Sequence, residues 1–444
     1  RTIPENRLVI DGEWENKTVL AKIFLNPIQG WFQFHRSIQG TQILLAHDIP
    51  TANLLYAGKT HDFKTHIALF DFINGQALGT AFEQAILIFE RWMLLRQLID
   101  IMAKQHQAGI EQKNLHLKNF LHSDNTLYCV DTKHIYHREK PLSIKKSLKL
   151  LSCGLAQFPQ LDANLQKKAI AHYFKNRNWV ETQEEQDYLT KQNAYWQKKR
   201  EEDLRSKLFR TSTHFIAERT KKYFWIMDRN YLSDAFLTFL KTPEYFFESR
   251  HMYILKTDKT TTVGVLQIEN NWFLVKRYNI RNPWYRLKRA VTKTRAARSW
   301  ENAHRLLFRG IRTPKPIALI ESYWGILFKG VSYFISAYIP AMTAAEYFKP
   351  HQFDPAEGRA MAQQILRILR TLRKEKIYHG DLKATNILIN DDGVWLIDLD
   401  AMRFYQYPFL FKKRAAKDKA RFWRNWKEQP KVKKLFKNAL PNRI

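Results

Sequence analysis

The chain has 444 residues, with 73 Lys and Arg against 42 Asp and Glu, a net charge of +31. Two or three domains fit that length at roughly 150 residues each. Hydrophobic residues at 45% and aromatics at 14% exclude wholesale disorder. Two cysteines, Cys129 and Cys153, exclude a disulfide framework and a four-thiolate zinc site and suit a reducing compartment. No apolar run reaches the ~20 residues that span a bilayer. The chain opens on Arg1, which leaves room for a targeting segment ahead of it.

In chain order, Val19 to Lys22 reads as a strand ending near a lysine, followed by a helix and a turn at Asp48-Ile-Pro-Thr51. Phe82 to Met102 is rich in Ile, Leu, Met and Trp but broken by Glu90, Arg91 and Arg96, so it reads as a buried amphipathic helix. Ile110 to Lys133 follows. Glu181 to Lys207 is charged, free of Gly and Pro, and helical in pattern. The same succession then returns. Leu274-Val-Lys276 is a strand with a lysine, Gly310-Ile-Arg-Thr313 a turn, and Arg359 to Arg373 an amphipathic helix. Ile377 to Asp400 aligns without a gap on Ile110 to Lys133. Asn114 falls on Asp381, Asn119 on Asn386, Asp131 on Asp398, and counting back places Gln39 opposite Glu301. The reading is one domain used twice, residues 1–207 and 208–444.

Charge concentrates in two runs. Arg281, Arg286, Lys288, Arg289, Lys293, Arg295 and Arg298 lie near Trp284, Tyr285 and Trp300. The tail from Lys412 to Lys437 carries twelve cations against Asp418 and Glu428, with Trp423, Trp426 and Phe436 among them. Such an excess points to a polyanionic partner. The interleaved aromatics favour an interface, such as a lipid headgroup layer, over a solvated helix face. No helix-turn-helix, zinc-finger or RNA-binding signature is evident, so nucleic acid is not an expected partner.

The chemistry concentrates in the second copy. His379-Gly380-Asp381-Leu382-Lys383-Ala384-Thr385-Asn386 precedes an apolar strand ending Asp398-Leu399-Asp400. Phosphoryl transfer needs an Asp beside the attacking hydroxyl, and an Asn and a second Asp to hold Mg²⁺ at the phosphates. Asp381, Asn386 and Asp398 have that order and spacing. Lys276 would grip the phosphates, Glu301 would hold Lys276, and Lys383 would lie near the transferring phosphate. His379 reads as support for the loop, and Asp400 as support for the metal site. No Gly-x-Gly-x-x-Gly precedes Lys276. Gly264 is the only glycine expected in the loop between the first strands, and no Ala-Pro-Glu follows Asp398. That leaves little platform for a peptide and favours a small or extended non-protein acceptor.

Ala297 to His304 (Trp300-Glu301-Asn302 within it), Gly310 to Ile317, His379 to Asn386 and Leu396 to Asp400 resemble the lipopolysaccharide kinases, the heptose/Kdo kinase family of Gram-negative bacteria. The resemblance covers about Thr262 to Arg403. It implies an α+β chain of two tandem protein-kinase-like domains, each with a small β-rich N-lobe and a helical C-lobe. It implies transfer of the ATP γ-phosphate, with Mg²⁺, to a sugar hydroxyl (a heptose) of the lipid A-core glycolipid, on the cytoplasmic face of the inner membrane. The protein would sit there as a peripheral protein on an anionic surface. By resemblance Asp381 is the base, Asn386 and Asp398 are metal ligands, Lys276 and Glu301 position phosphate, and backbone near Ser336, Ala337 and Tyr338 meets the adenine.

The first copy keeps Lys22, Asn119 and Asp131 but has Asn114, Gln112 and Gln39 where the second has Asp381, His379 and Glu301. A neutral amide does not take a hydroxyl proton as a carboxylate does, so the first copy reads as a pseudokinase. Two other readings stand beside this one: an atypical protein kinase, and a non-catalytic scaffold binding membrane or nucleic acid.

Overall fold

The computed structural model describes residues 2–3, 7–60, 65–85, 87–113, 115–158, 161–249, 251–279, 292–324, 328–349 and 355–438. Two compact units emerge, Arg1–Lys199 and Arg200–Ile444. Both mix helices with antiparallel sheet.

In the first unit five strands pair in the order Thr2–Ile3, Arg7–Trp14, Lys17–Phe24, His66–Asp71, Leu54–Lys59. The helix Pro27–Ala46 begins at an Asn26 cap and a proline, and lays Phe34 on Phe24, Ala68 and Phe70. The helical half is built on Ile88–Gln107, whose Leu95, Leu98, Ile99 and Met102 are fully buried. Each such side chain contributes about 1.5–3 kcal/mol by leaving water. The single helix expected from Phe82 to Met102 is instead two, Leu78–Gln84 and Ile88–Gln107. The Leu87 amide donates to Glu90 Oε2 (3.1 Å) and starts a fresh helix there.

The second unit repeats the order. Met252–Asp258, Thr261–Ile268, Asn271–Tyr278, Phe328–Ala337 and Pro316–Trp324 pair in sequence, and Tyr223–Asp228 and Phe215–Arg219 extend the sheet beyond Pro316–Trp324. The helix Arg295–Phe308 packs on it from a Thr294 cap. The helical half holds Pro355–Lys374, the hairpin Ile387–Asn390 and Gly393–Leu396, and the basic helix Pro408–Arg424.

The correspondence reaches single hydrogen bonds. Cys129 N donates to Pro50 O and Leu396 N to Arg312 O, both at 2.9 Å. Val130 N donates to Asn119 O (2.9 Å) and Ile397 N to Asn386 O (3.0 Å). After each sheet-packed helix the chain turns through a left-handed residue, Asp48 (φ 48°) and Gly310 (φ 71°).

Several expectations need correction. The division at Lys199 falls eight residues before the expected boundary at 207, inside the helix Gln183–Lys207. Electrostatics draw the end of that helix into the second unit. Buried Glu201 accepts from Arg305 Nε (2.6 Å) and Arg309, and Arg205 Nε donates to Glu301 Oε1 (2.8 Å). Trp300, Trp426 and Phe436 are core residues rather than an aromatic interface, with exposures of 0%, 1% and 0%. Trp300 Nε1 donates to Leu208 O (2.7 Å), and Phe422, Trp426 and Phe436 close around Phe348. Trp300 and Phe436 lie on the core-facing sides of the helices Arg295–Phe308 and Pro430–Asn438, and Trp426 in the turn between Pro408–Arg424 and Pro430–Asn438, so the core takes the aromatics. Gly264 sits inside the strand Thr261–Ile268, against Met252, and the turn before that strand is Lys259–Thr260. The run from Arg281 to Arg289, with Trp284 and Tyr285, lies outside the described residues. Among the described residues no helix is long and apolar enough to cross a membrane.

Removing one partner of a buried ion pair strands the other charge. Glu201→Ala is therefore expected to cost the second unit about 3 kcal/mol in urea unfolding. Exposed Gln197→Ala, on the same helix, is expected to stay within about 0.5 kcal/mol.

Candidate active site

The site in the second unit starts at the interior strand Asn271–Tyr278. Lys276, paired there with Val263 and Phe334, sends Nζ to within 2.6 Å of Asp398 Oδ1. Burial opposes the ammonium charge, but Tyr278, Asp398 and Asp400 outweigh it and raise the Lys276 pKa. Burial also opposes the Asp398 charge, and Lys276, with Arg295, still holds that carboxyl below its usual range. Asp398 adopts a left-handed backbone (φ 63°, ψ 58°). That conformation costs a non-glycine residue about 1–3 kcal/mol, so its surroundings must impose it. Asp400, two residues on, accepts from Arg295 in the first turn of the helix Arg295–Phe308. Tyr278 and Ser299 share a hydrogen bond (2.9 Å) between strand and helix.

The loop His379–Asn386 is fixed from inside. His379 is fully buried, and burial lowers its pKa, which leaves the ring neutral. With its proton on Nε2 the ring donates to Ile397 O (3.1 Å), and Nδ1 faces the Asp381 amide (3.4 Å). Gly380 has φ +89°, and a Cβ there would lie 2.8 Å from Ala401 Cβ, so glycine is required. Asp418 reaches in from the basic helix and accepts from the backbone amides of His379 (2.7 Å) and Gly380 (3.2 Å). Burial pushes its carboxyl up to about 6 against the pull of those two amides. Asn386 Nδ2 donates to Asp381 O (2.8 Å) and Oδ2 (3.2 Å), which turns its Oδ1 to other partners. Lys383 Nζ lies 2.6 Å from Asp381 Oδ2, and Arg421 lies 3.6 Å from Oδ1.

The structure thus brings Lys276 to Asp398, and Asp381 to Asn386 and Lys383. It does not bring Glu301 to Lys276. Glu301 faces the other side of its helix, where Lys293 (2.5 Å) and Arg205 occupy it. The helix meets the segment after Asp398 through Arg295 with Asp400, and through Asn302 Nδ2, which donates to Leu399 O (2.8 Å) and Met402 O (3.3 Å). The Ala337 and Tyr338 amides are also committed, to Lys315 O (2.8 Å) and Trp272 O (3.0 Å). A base would have to meet other backbone groups of this segment. Sequence reasoning missed Asp418, Arg421, Arg295 and Tyr278 as site residues. Asp418 had a signal, an acid nearly alone among cations.

In the first unit, Lys22 Nζ donates to Val130 O (3.0 Å) rather than to Asp131. Asp131 has an extended backbone (φ −116°, ψ 90°) where Asp398 is left-handed. Burial, with Arg7 and Lys133 nearby, lowers the Lys22 pKa to about 8 against the pull of Asp131. Gln112 is buried and accepts from Gln105 (3.2 Å), and Gln39 is exposed. Asn114 lies outside the described residues.

A sheet with a half-buried lysine, a loop carrying Asp and Asn, and a second Asp just after the following hairpin define a kinase-type phosphotransferase unit. Residues 261–406 match the Lipopolysaccharide kinase (Kdo/WaaP) family. A 94-residue stretch, 21% of this chain, is 27% identical to the probable serine/threonine-protein kinase YbdM of Bacillus subtilis (strain 168). That stretch spans 36% of the relative's length.

The donor set suits Mg²⁺. The Ile397 amide donates to Asn386 O (3.0 Å), which holds the segments carrying Asn386 and Asp398 together, and an amide oxygen and a carboxylate are the hard donors Mg²⁺ takes, one or two from protein with phosphate and water filling its shell.

The Asp418 carboxyl, raised above its unfolded value near 3.8, binds more protons folded than unfolded between about pH 4 and 6. Its contribution to stability therefore falls as pH rises through that window, and above it the charge is a net cost. Asp418→Asn is expected to raise the melting midpoint at pH 7, with the gain closing toward pH 4. The same change slackens the loop and is expected to lower kcat roughly tenfold or more.

Proposed function

We propose that the second unit transfers the γ-phosphate of ATP to a heptose hydroxyl of the lipopolysaccharide inner core, at the cytoplasmic face of the inner membrane. The observation that carries the proposal is the Lys276, Asp381, Asn386 and Asp398 constellation inside the segment that matches the lipopolysaccharide kinase family.

In this reading the sugar oxygen forms a bond to the γ-phosphorus as the bond from that phosphorus to the β,γ-bridging oxygen breaks, and ADP leaves. Asp381 orients the hydroxyl and takes its proton. Lys383, half-exposed and paired with Asp381, moves onto the transferring phosphate and leaves the carboxylate free to act as base. Lys276 neutralises the α- and β-phosphates. Asn386 and Asp398 would hold Mg²⁺, which supplies charge neutralisation across the phosphates when bound. Asp418 and His379 keep Asp381 at its place, and Arg295 with Asp400 keeps the helix against the metal loop.

The surface supports a membrane-held glycolipid acceptor. Tyr407, Phe409 and Leu410 are exposed at the start of the basic helix, immediately before Lys412, Lys413 and Arg414. Apolar side chains beside cations favour an anionic headgroup layer. The first unit, with Asn114, Gln112 and Gln39 at its decisive positions, serves as a non-catalytic kinase-like copy. The likeness to YbdM, named as a probable serine/threonine-protein kinase, favours a second reading, transfer to protein.

Mass spectrometry of lipopolysaccharide core from cells carrying the wild-type chain or Asp381→Ala separates the two. Loss of a single core phosphate in the variant is expected. An unchanged core with phosphate lost from a protein would establish the second reading.

A further inference from the structure

The two units share strand register, so positions around the two lysines correspond. Arg7 pairs with Phe24, two residues beyond Lys22, and Thr261 pairs with Tyr278, two residues beyond Lys276. The alignment that sets Asp131 on Asp398 sets Lys133 on Asp400. The first unit therefore has Arg for Thr, Phe for Tyr and Lys for Asp around its buried lysine. Where the second unit gathers acids, the first gathers cations.

The geometry agrees. Arg7 Nη1 lies 3.8 Å from Asp131 Oδ1, and Lys133 Nζ lies 3.9 Å from Asp131 Oδ2. Both separations exceed a hydrogen bond. Arg7 Nη1 and Asp131 Oδ1 are buried and make no hydrogen bond among the described residues. Lys22 is 6% exposed and has spent one of its three N–H groups, on Val130 O. Three cations thus surround one carboxylate that satisfies none of them. Surplus positive charge with unspent donors is what a phosphate group neutralises, through charge-assisted hydrogen bonds.

We infer that the first unit binds a phosphate-bearing ligand directly between Lys22, Arg7 and Lys133, without a divalent cation. Cations here do what a metal does elsewhere. Lys133, in place of an acid, disfavours a metal and favours the bare anion. Asp131 competes with the ligand instead of serving it. The ligand is a nucleotide polyphosphate or a phosphomonoester lipid headgroup, which present the same oxygens.

The test uses the full chain carrying Lys276→Met, which removes the phosphate lysine of the second unit. Calorimetric titration with ATP and with inorganic pyrophosphate is run in EDTA. Both are expected to bind saturably, and Arg7→Gln with Lys133→Gln is expected to weaken binding roughly tenfold or more. The sign of Asp131→Asn is decisive. In EDTA binding tightens if the carboxylate competes with the phosphate, and weakens if the carboxylate serves the ligand. This near-isosteric change also decides the matter should the double variant fail to fold. Displacement of pyrophosphate by vesicles containing phosphatidic acid identifies a headgroup as the source, and displacement by ATP alone identifies a nucleotide. Binding absent in EDTA, binding indifferent to Arg7 and Lys133, or weaker binding after Asp131→Asn overturns the inference. No phosphoryl transfer is measured, so the result is independent of the proposed sugar kinase.

Discussion

The ion pair between Lys276 and Asp398 ties the sheet half of the second unit to its loop half. One partner is anchored in the middle of a sheet, and the other sits in a strained turn that its neighbours must enforce. Around this pair the rest is arranged in pairs of its own. Arg295 holds Asp400, Tyr278 meets Ser299, His379 spans to Ile397, and Asp418 grips the loop amides. Buried polar groups of this kind are costly unless each finds a partner. Because each does, the loop has little freedom to place Asp381 elsewhere.

The recurring order of elements was legible because it rests on backbone requirements that leave marks in sequence. A left-handed turn after a helix selects Asp48 and Gly310, and the order of a lysine strand followed by a helix recurs, although the stretch between strand and helix is longer in the second unit. The motif residues were legible for the same reason, since Asp381, Asn386 and Asp398 must share a loop and the hairpin after it. What escaped depends on which face of an element meets which neighbour. Glu301 has the right helix for Lys276 but the wrong side of it. Trp300, Trp426 and Phe436 read as an interface because sequence shows them beside cations, whereas the fold turns all three into the core. Gly264 read as a loop residue because a glycine in a strand leaves the same trace as one in a turn. Asp418 lies 37 residues beyond Asp381, and nothing local ties the two together.

The two units are one architecture with opposite electrostatics. Backbone hydrogen bonds recur at corresponding positions, with His47 N to Leu44 O (3.2 Å) matched by Arg309 N to Leu306 O (2.9 Å), while the side chains around the strand lysine change sign. The fold depends on the former, so a copy can carry Asn114 where the other has Asp381 and keep its sheet, helix and hairpin. The strand lysine responds to that change. In the acid-rich unit it is held charged, and in the cation-rich unit it is pushed toward neutrality.

The central claim is a metal-dependent phosphotransferase organised on Lys276 and Asp398. The most direct measurement is the rate of γ-phosphate transfer from ATP to isolated core glycolipid against Mg²⁺ concentration, for the wild-type chain and Asp398→Asn. The account predicts wild-type transfer that EDTA abolishes and Mg²⁺ restores, and a variant that stays at least about a hundredfold slower at saturating Mg²⁺. A variant that reached the wild-type rate would contradict it.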